Sequence, residues 1–139
     1  MITESLFALA VVLVSLAVFV WRARPDSPIN RWFAAYTTFV AGWTFGIAGV
    51  HSGSRPDFWV GVAFANASLI PSALLVFMSV FPTQLPSPSP MLLRITLMIG
   101  GAFAFISMTT SLIFYDVSMT STGLSRKPGV LYPAFAIFF

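Results

Sequence analysis

Residues 5–21 read SLFALAVVLVSLAVFVW, an uncharged apolar run closed at once by Arg22, Arg24 and Pro25. A helix needs about 17–25 predominantly apolar residues to cross the hydrocarbon core of a bilayer. Only a structure that pairs all its backbone groups internally can stay there. The run therefore predicts a transmembrane helix over 5–21, and it sets the terms on which the remaining sequence is read. A second span is expected over 28–50, opened by Ser27 as N-cap with Pro28 at the first helical position. A third is expected over 56–81, ending before Pro82. A fourth, over 90–115, repeats the opening with Ser89 and Pro90. After the polar stretch DVSMTSTGLSRKPG, the apolar residues 130–139 are too few to cross, so they are expected to begin a fifth helix that continues in a longer protein. The fold expected for 1–139 is all-α: a polytopic transmembrane helix bundle of four complete spans and the start of a fifth.

Composition agrees with lipid as the solvent. Of 139 residues, 58% are hydrophobic and only 8% charged, with a mean hydropathy of +0.91. Soluble domains carry about a quarter charged residues, and seven Lys/Arg with four Asp/Glu are too few to cover a globular surface. Disordered chains are poor in the aromatic and aliphatic residues that dominate here. The net charge of +3 does not point to nucleic acid, because the basic residues are scattered between apolar runs instead of forming a stripe. The absence of cysteine excludes disulfides, thiolate metal sites and cysteine nucleophiles.

The front end MITES carries no basic residue and no small-residue cleavage site follows the first span, which predicts an uncleaved anchor. Arg22, Arg24 and Arg31 cluster in the short first connection, so the positive-inside rule sets that connection in the cytoplasm and the N-terminus outside. The link 81–90, followed by Arg94, is then inside, while 51–57 and 115–129, with Arg55, Arg126 and Lys127, are outside. Trp21, Trp32 and Trp59 fall at the two interfaces, as an aromatic belt requires.

In lipid, helices associate through small residues and interhelical hydrogen bonds. Gly42 and Gly46 on the second helix, Gly61 and Ala65 on the third, and Gly100 and Ala104 on the fourth supply small pairs four residues apart. They are expected to form packing seams within the chain, with a dimer interface as the alternative. Pro71 lies inside the third span, where it frees the carbonyl of Ala67; Asn66 and Ser68 stand close enough to help satisfy that group. A static kink and a hinge are both open at Pro71. Tyr36 and Trp43 share a face of the second helix, and with Asn66 they outline either a small-molecule pocket or ordinary packing.

No HExxH, GxSxG, P-loop, GxGxxG or EF-hand spacing occurs, so no enzymatic activity is expected of these residues. Apart from Asp57 at the mouth of the third, the expected spans hold no Asp, Glu or Lys, which weighs against an ion pump. His51 is the single histidine and makes a poor metal site alone; it is expected to be an interfacial polar residue. No metal and no cofactor is expected.

The stretches NRWFAAYTTFVAGWTFGIAG and FWVGVAFANASLIPSALLVFMSVFP resemble the N-terminal seven-helix membrane sensor region of bacterial histidine kinases. In that pattern an Asn-Arg pair with a following aromatic opens the second helix (Asn30, Arg31, Phe33). A tryptophan lies within it (Trp43), and another follows the external loop (Trp59). A proline then precedes a Phe-rich exit (Pro71, Phe77, Phe81, Pro82). GVLYPAFAIFF, with Gly129 and Tyr132, is similar to the family's entry to a fifth helix. The resemblance implies a bacterial inner-membrane sensor, part of a two-component signal transduction system, that relays a signal to a cytoplasmic module such as a histidine kinase. Its expected partners are membrane lipids, that module, and a homodimer or larger membrane complex, with no nucleic acid. The alternative is a structural or accessory subunit of a larger membrane complex that binds lipid, pigment or neighbouring subunits.

Overall fold

The computed structural model describes residues 2–53, 55–81, 88–120 and 123–139. Four long helices follow one another: α1 (Ile2–Ala23), α2 (Pro28–His51), α3 (Pro56–Val80) and α4 (Pro90–Thr109). Each is long and apolar enough to cross a membrane. The chain is a membrane protein built as an all-α helical bundle, with one small β-hairpin inserted before a short fifth helix.

The Ser-Pro openings work as their chemistry requires. Ser27 Oγ accepts the Asn30 amide at 3.4 Å and Ser89 Oγ accepts the Leu92 amide at 3.2 Å, each meeting one of the unpaired donors of a first turn. The proline at N1 has no amide to leave unpaired. Asn30 does more than open α2: its Nδ2 donates to Val20 O at 2.9 Å and ties the start of α2 to the end of α1. Arg31 braces the same turn, donating through Nε to Pro25 O and lying 3.5 Å from Asp26.

The helices pack in sequence order, α1 on α2, α2 on α3 and α3 on α4. In the most apolar 18-residue windows, 44% and 50% of residues are buried in α2 and α3 against 11% in α1 and α4, so α2 and α3 form the centre and the outer two present their faces outward. Val11, Phe19, Met98 and Phe105 are each more than 60% exposed there. Such faces suit acyl chains as solvent and would aggregate in water. The small residues mark the seams. A Cβ at Gly46 would stand 2.6 Å from the Ala63 amide nitrogen, and one at Gly100 would stand 2.6 Å from Ser72 Oγ and 2.8 Å from Ser68 O. Gly61 approaches Ser107 O in the same way, and Gly42 leaves room for the Asn66 side chain. Ala65 and Ala104 are half-buried; their carbonyls accept from Ser68 and Ser107 on their own helices. Ser72, fully buried, donates across to Thr96 O on α4 at 2.9 Å. α3 runs unbroken through Pro71. Asn66 and Ser68 spend their donors on Val62 O and Ala65 O, not on the carbonyl that the proline frees.

The fourth helix stops at Thr109, short of the expected Tyr115. The hydroxyl of Thr110 folds back onto Ile106 O, and accepts from the Leu112 amide, so the backbone turns away. Ile113 and Phe114, counted as membrane residues by hydropathy, are instead buried by protein. From there β1 (Phe114–Thr120) pairs antiparallel with β2 (Gly123–Pro128). The polar stretch expected as a loop is thus a hairpin. Gly129 N and Leu131 N then donate to Ile113 O and Leu112 O, closing the base of the hairpin and launching α5 (Tyr132–Phe138) against α3. Of the expected link 81–90, residues 82–87 lie outside the described residues.

Candidate functional site

The main core lies at one end of the bundle, where α2, α3, the hairpin and α5 meet. Val50, Val60, Phe64, Ala67, Ile113, Phe114 and Phe135 are buried together. Phe64 is the hub: its ring centroid lies 5.2 Å from that of Phe114, 5.0 Å from Phe135 and 6.4 Å from Tyr132. Aromatic pairs at such separations add about 0.5–1.5 kcal/mol each beyond the area they bury.

Beside this cluster a cavity of about 310 Å³ opens between the elements. Trp43, Ile47, Val50 and His51 of α2 form one wall, and Val60, Ala63, Phe64 and Ala67 of α3 form another. Tyr132 and Phe135 of α5 cover it, and Arg126 of β2 stands at its polar rim. The hairpin register explains how Arg126 arrives there. Tyr115 pairs with Lys127 and Ser118 with Ser125, so Asp116 and Val117 together oppose Arg126 alone. That two-against-one count is a β-bulge, which bends the strand and re-aims a side chain. Asp116 takes φ +54° within it. The guanidinium carbon of Arg126 lies 5.0 Å from the Phe64 ring centroid, a cation–π contact.

The two neighbouring cations of β2 are treated differently. Lys127 Nζ lies 2.6 Å from Asp116 Oδ2. The hydrogen bond to Asp116, followed by its charge, raises the Lys127 pKa above the ordinary lysine value; slight desolvation opposes this and Tyr115 adds to it. Among the described residues no acidic side chain is paired with Arg126, and none lines the cavity.

Of the four residues expected to form a pocket or hinge, only Trp43 lines this cavity. Asn66 lines a second, of about 420 Å³, between α1 and α2, with Ala10, Ser15, Thr38 and Gly42. Tyr36 and Pro71 are half-buried and line neither. His51, expected at the membrane interface, is exposed at the end of α2 and also forms part of the first cavity's wall. Phe64, Arg126 and Phe135 carried no signal in the sequence beyond apolarity or charge, and Tyr132 only its place at the entry to the fifth helix, because what unites them is the hairpin's return onto α3. Among the described residues, no three His, Cys, Asp or Glu side chains come together as a metal site requires. Trp59, placed at the interface by its position, packs its ring against Gly49 and lies 5.4 Å from Phe45.

Compared with family models, curated proteins and solved structures, the chain finds no match.

Proposed function

We propose that this helix bundle is the membrane sensor region of a bacterial signalling protein, with its N-terminus and hairpin outside the cytoplasmic membrane. In this reading it has no catalytic role of its own. The observation that carries it is the walling of the outer cavity by three separate parts of the chain: the α2–α3 pair, the hairpin and α5. Filling such a cavity favours one relative packing of its walls over another, and a differential contact of this kind is what shifts a conformational equilibrium. The glycine seam at Gly42 and Gly46 couples α2 to α3 and offers a route toward the cytoplasmic ends of both helices. There the shift would reach an output module such as a histidine kinase. The Asn30–Val20 and Arg31–Asp26 contacts give the Asn-Arg pair of the sensor resemblance a structural task, holding the first cytoplasmic turn.

The deciding experiment is to read the coding sequence past Phe139 and assay the full protein in proteoliposomes. A signalling module is expected, with autophosphorylation that changes when Trp43 is replaced by alanine. A gene without such a module, together with no response of any partner kinase to changes in the cavity, overturns the proposal. A second reading, an accessory subunit of a larger membrane complex, draws on the broad apolar faces of α1 and α4, which suit neighbouring subunits as well as lipid. Recovery in fixed stoichiometry with a larger assembly would favour it.

A further inference from the structure

We infer that the outer cavity binds a single-chain amphiphile with an anionic head group of the fatty-carboxylate type, its head on the Arg126 guanidinium and its apolar body between α2, α3 and α5. The inference deepens the sensor proposal by naming the chemical class of its signal, and it takes the same cavity as its site.

Charge selects the head group. The ionisable side chains on the cavity wall are Arg126, His51 and Tyr132, and no Asp or Glu is among them. A cationic or zwitterionic amine would meet no counter-charge. Beside Arg126, Lys127 is held by Asp116 at 2.6 Å. Arg126 has no such acidic partner among the described residues, so its planar fork is available for a bidentate pair with a carboxylate. Its contact with the Phe64 ring fixes the guanidinium over the apolar part of the site, so that head and body recognition adjoin.

Shape selects a single chain. A volume of about 310 Å³ stands at the lower end of the roughly 300–1,000 Å³ range of small-molecule pockets, too small for a two-chain phospholipid. The wall residues His51 and Trp43 are two helical turns apart, a depth of about 12 Å along α2 at 1.5 Å per residue. That accommodates an alkyl chain of medium length. Ala63, Ala67 and Val60 leave the α3 side low and apolar, while Phe64 and Phe135 supply polarizable faces. The site lies where α2 ends and α3 begins, at the level of an interface, so an amphiphile enters with its head in water and its tail toward the bilayer.

The test uses the full-length protein in nanodiscs and dodecanoate as the probe, with binding to empty nanodiscs subtracted. Saturable binding is expected, with ω-bromododecanoate quenching tryptophan fluorescence in the wild type and much less in Trp43→Phe. Arg126→Gln should weaken dodecanoate binding about tenfold or more, the scale of a lost charge-assisted pair, and Arg126→Lys should recover part of it. Lys127→Gln should change it by less than about twofold, because that cation already has a partner. Dodecanol and dodecyltrimethylammonium should bind the wild type as weakly as dodecanoate binds Arg126→Gln. Equal binding of dodecanol and dodecanoate, an equal loss in Lys127→Gln, or partition without saturation would each overturn the inference. Saturable binding with no change in output leaves the ligand site standing and removes the sensor role. An output that responds to a stimulus while dodecanoate fails to bind removes the ligand assignment and keeps the sensor.

Discussion

Replacing Gly46 by alanine adds one methyl group at a close backbone approach of α2 to α3. An ideal Cβ there stands 2.6 Å from Ala63 N, 2.8 Å from its Cα and 2.9 Å from its Cβ. Two of those atoms belong to the α3 backbone and cannot rotate aside. Ordinary contact begins at 3.4 Å, so relief requires the helices to part locally by about 0.8 Å. A radial gap of about 0.5–1 Å already forfeits a quarter to a half of the dispersion attraction between facing atoms. In lipid that loss is serious, because packing replaces the hydrophobic drive between helices. Overpacking of this kind costs about 1–3 kcal/mol. Gly101→Ala is the matched control: it lies on α4 with nothing within 4 Å of the added carbon, so it keeps the helix and meets no neighbour. Both variants should insert into membranes equally. Equilibrium unfolding in mixed micelles, followed by tryptophan fluorescence, should show Gly46→Ala destabilised by that amount and Gly101→Ala unchanged or slightly more stable, since alanine is the better helix former. If Gly46→Ala unfolds together with the wild type, the close approach of α2 and α3 is refuted.

Ser72→Ala removes the hydrogen bond to Thr96 O between α3 and α4; interhelical bonds in membranes average about 0.6 kcal/mol, so the same unfolding assay should register a loss of that order. Asn30→Ala cuts the tie to Val20 O and should speed proteolysis of the 22–27 turn in inside-out vesicles, leaving the spans protected. Lys127 has its pKa raised by Asp116, so the pair's support of the hairpin is fully present below the ordinary lysine value and is lost as pH rises through the raised one. The methyl signals of Val117, in the bulge beside Asp116, should keep their native positions through neutral pH and shift only in that alkaline window, and Asp116→Asn should abolish the transition. In sealed right-side-out cells, a protease should cut a tag ahead of Ile2 and spare the turn around Arg24; the reverse pattern would overturn the outside placement of the N-terminus.

The four long helices were legible because their signals are local. An apolar run bounded by arginines is one such signal, and a serine followed by proline at its start is another; Ser27–Pro28 and Ser89–Pro90 cap α2 and α4. The end of α4 was not legible by the same means. Hydropathy does not distinguish residues bathed in lipid from residues buried by protein, so Leu112, Ile113, Phe114 and Tyr115 extended the expected span, although Thr110 turns the chain before them. The hairpin had a faint signal in the alternation of Val117 and Met119 with Ser118 and Thr120, outweighed by the polarity of the whole stretch.

The candidate site was legible only at Trp43, and the reason is geometric. Tyr36 and Trp43 were joined by a shared face of α2 and Asn66 was set beside them by its depth in the membrane, whereas a pocket depends on how each helix is turned toward its neighbours, which neither periodicity within one helix nor hydropathy supplies. Asn66 turns toward Gly42 and the α1 side, while Trp43 lies one residue on, in the wall of a different cavity. The angle that separates them is set by which face of α3 meets α4 and α5. That face is marked by the long-range bond of Ser72 to Thr96 O and by the Phe135 ring against Phe64. Arg126 is the extreme case. In sequence it is one more external cation beside Lys127, and the difference between them arises from a single extra residue opposite it in β1, which gives Lys127 to Asp116 and sends Arg126 over Phe64. Deleting Val117 would set Asp116 alone opposite Arg126 and keep Tyr115 with Lys127 and Ser118 with Ser125, which removes the local bend that aims Arg126. The cation over Phe64 should then be lost while all four long helices remain, a separation of site from fold that methyl and aromatic NMR spectra of the variant would reveal.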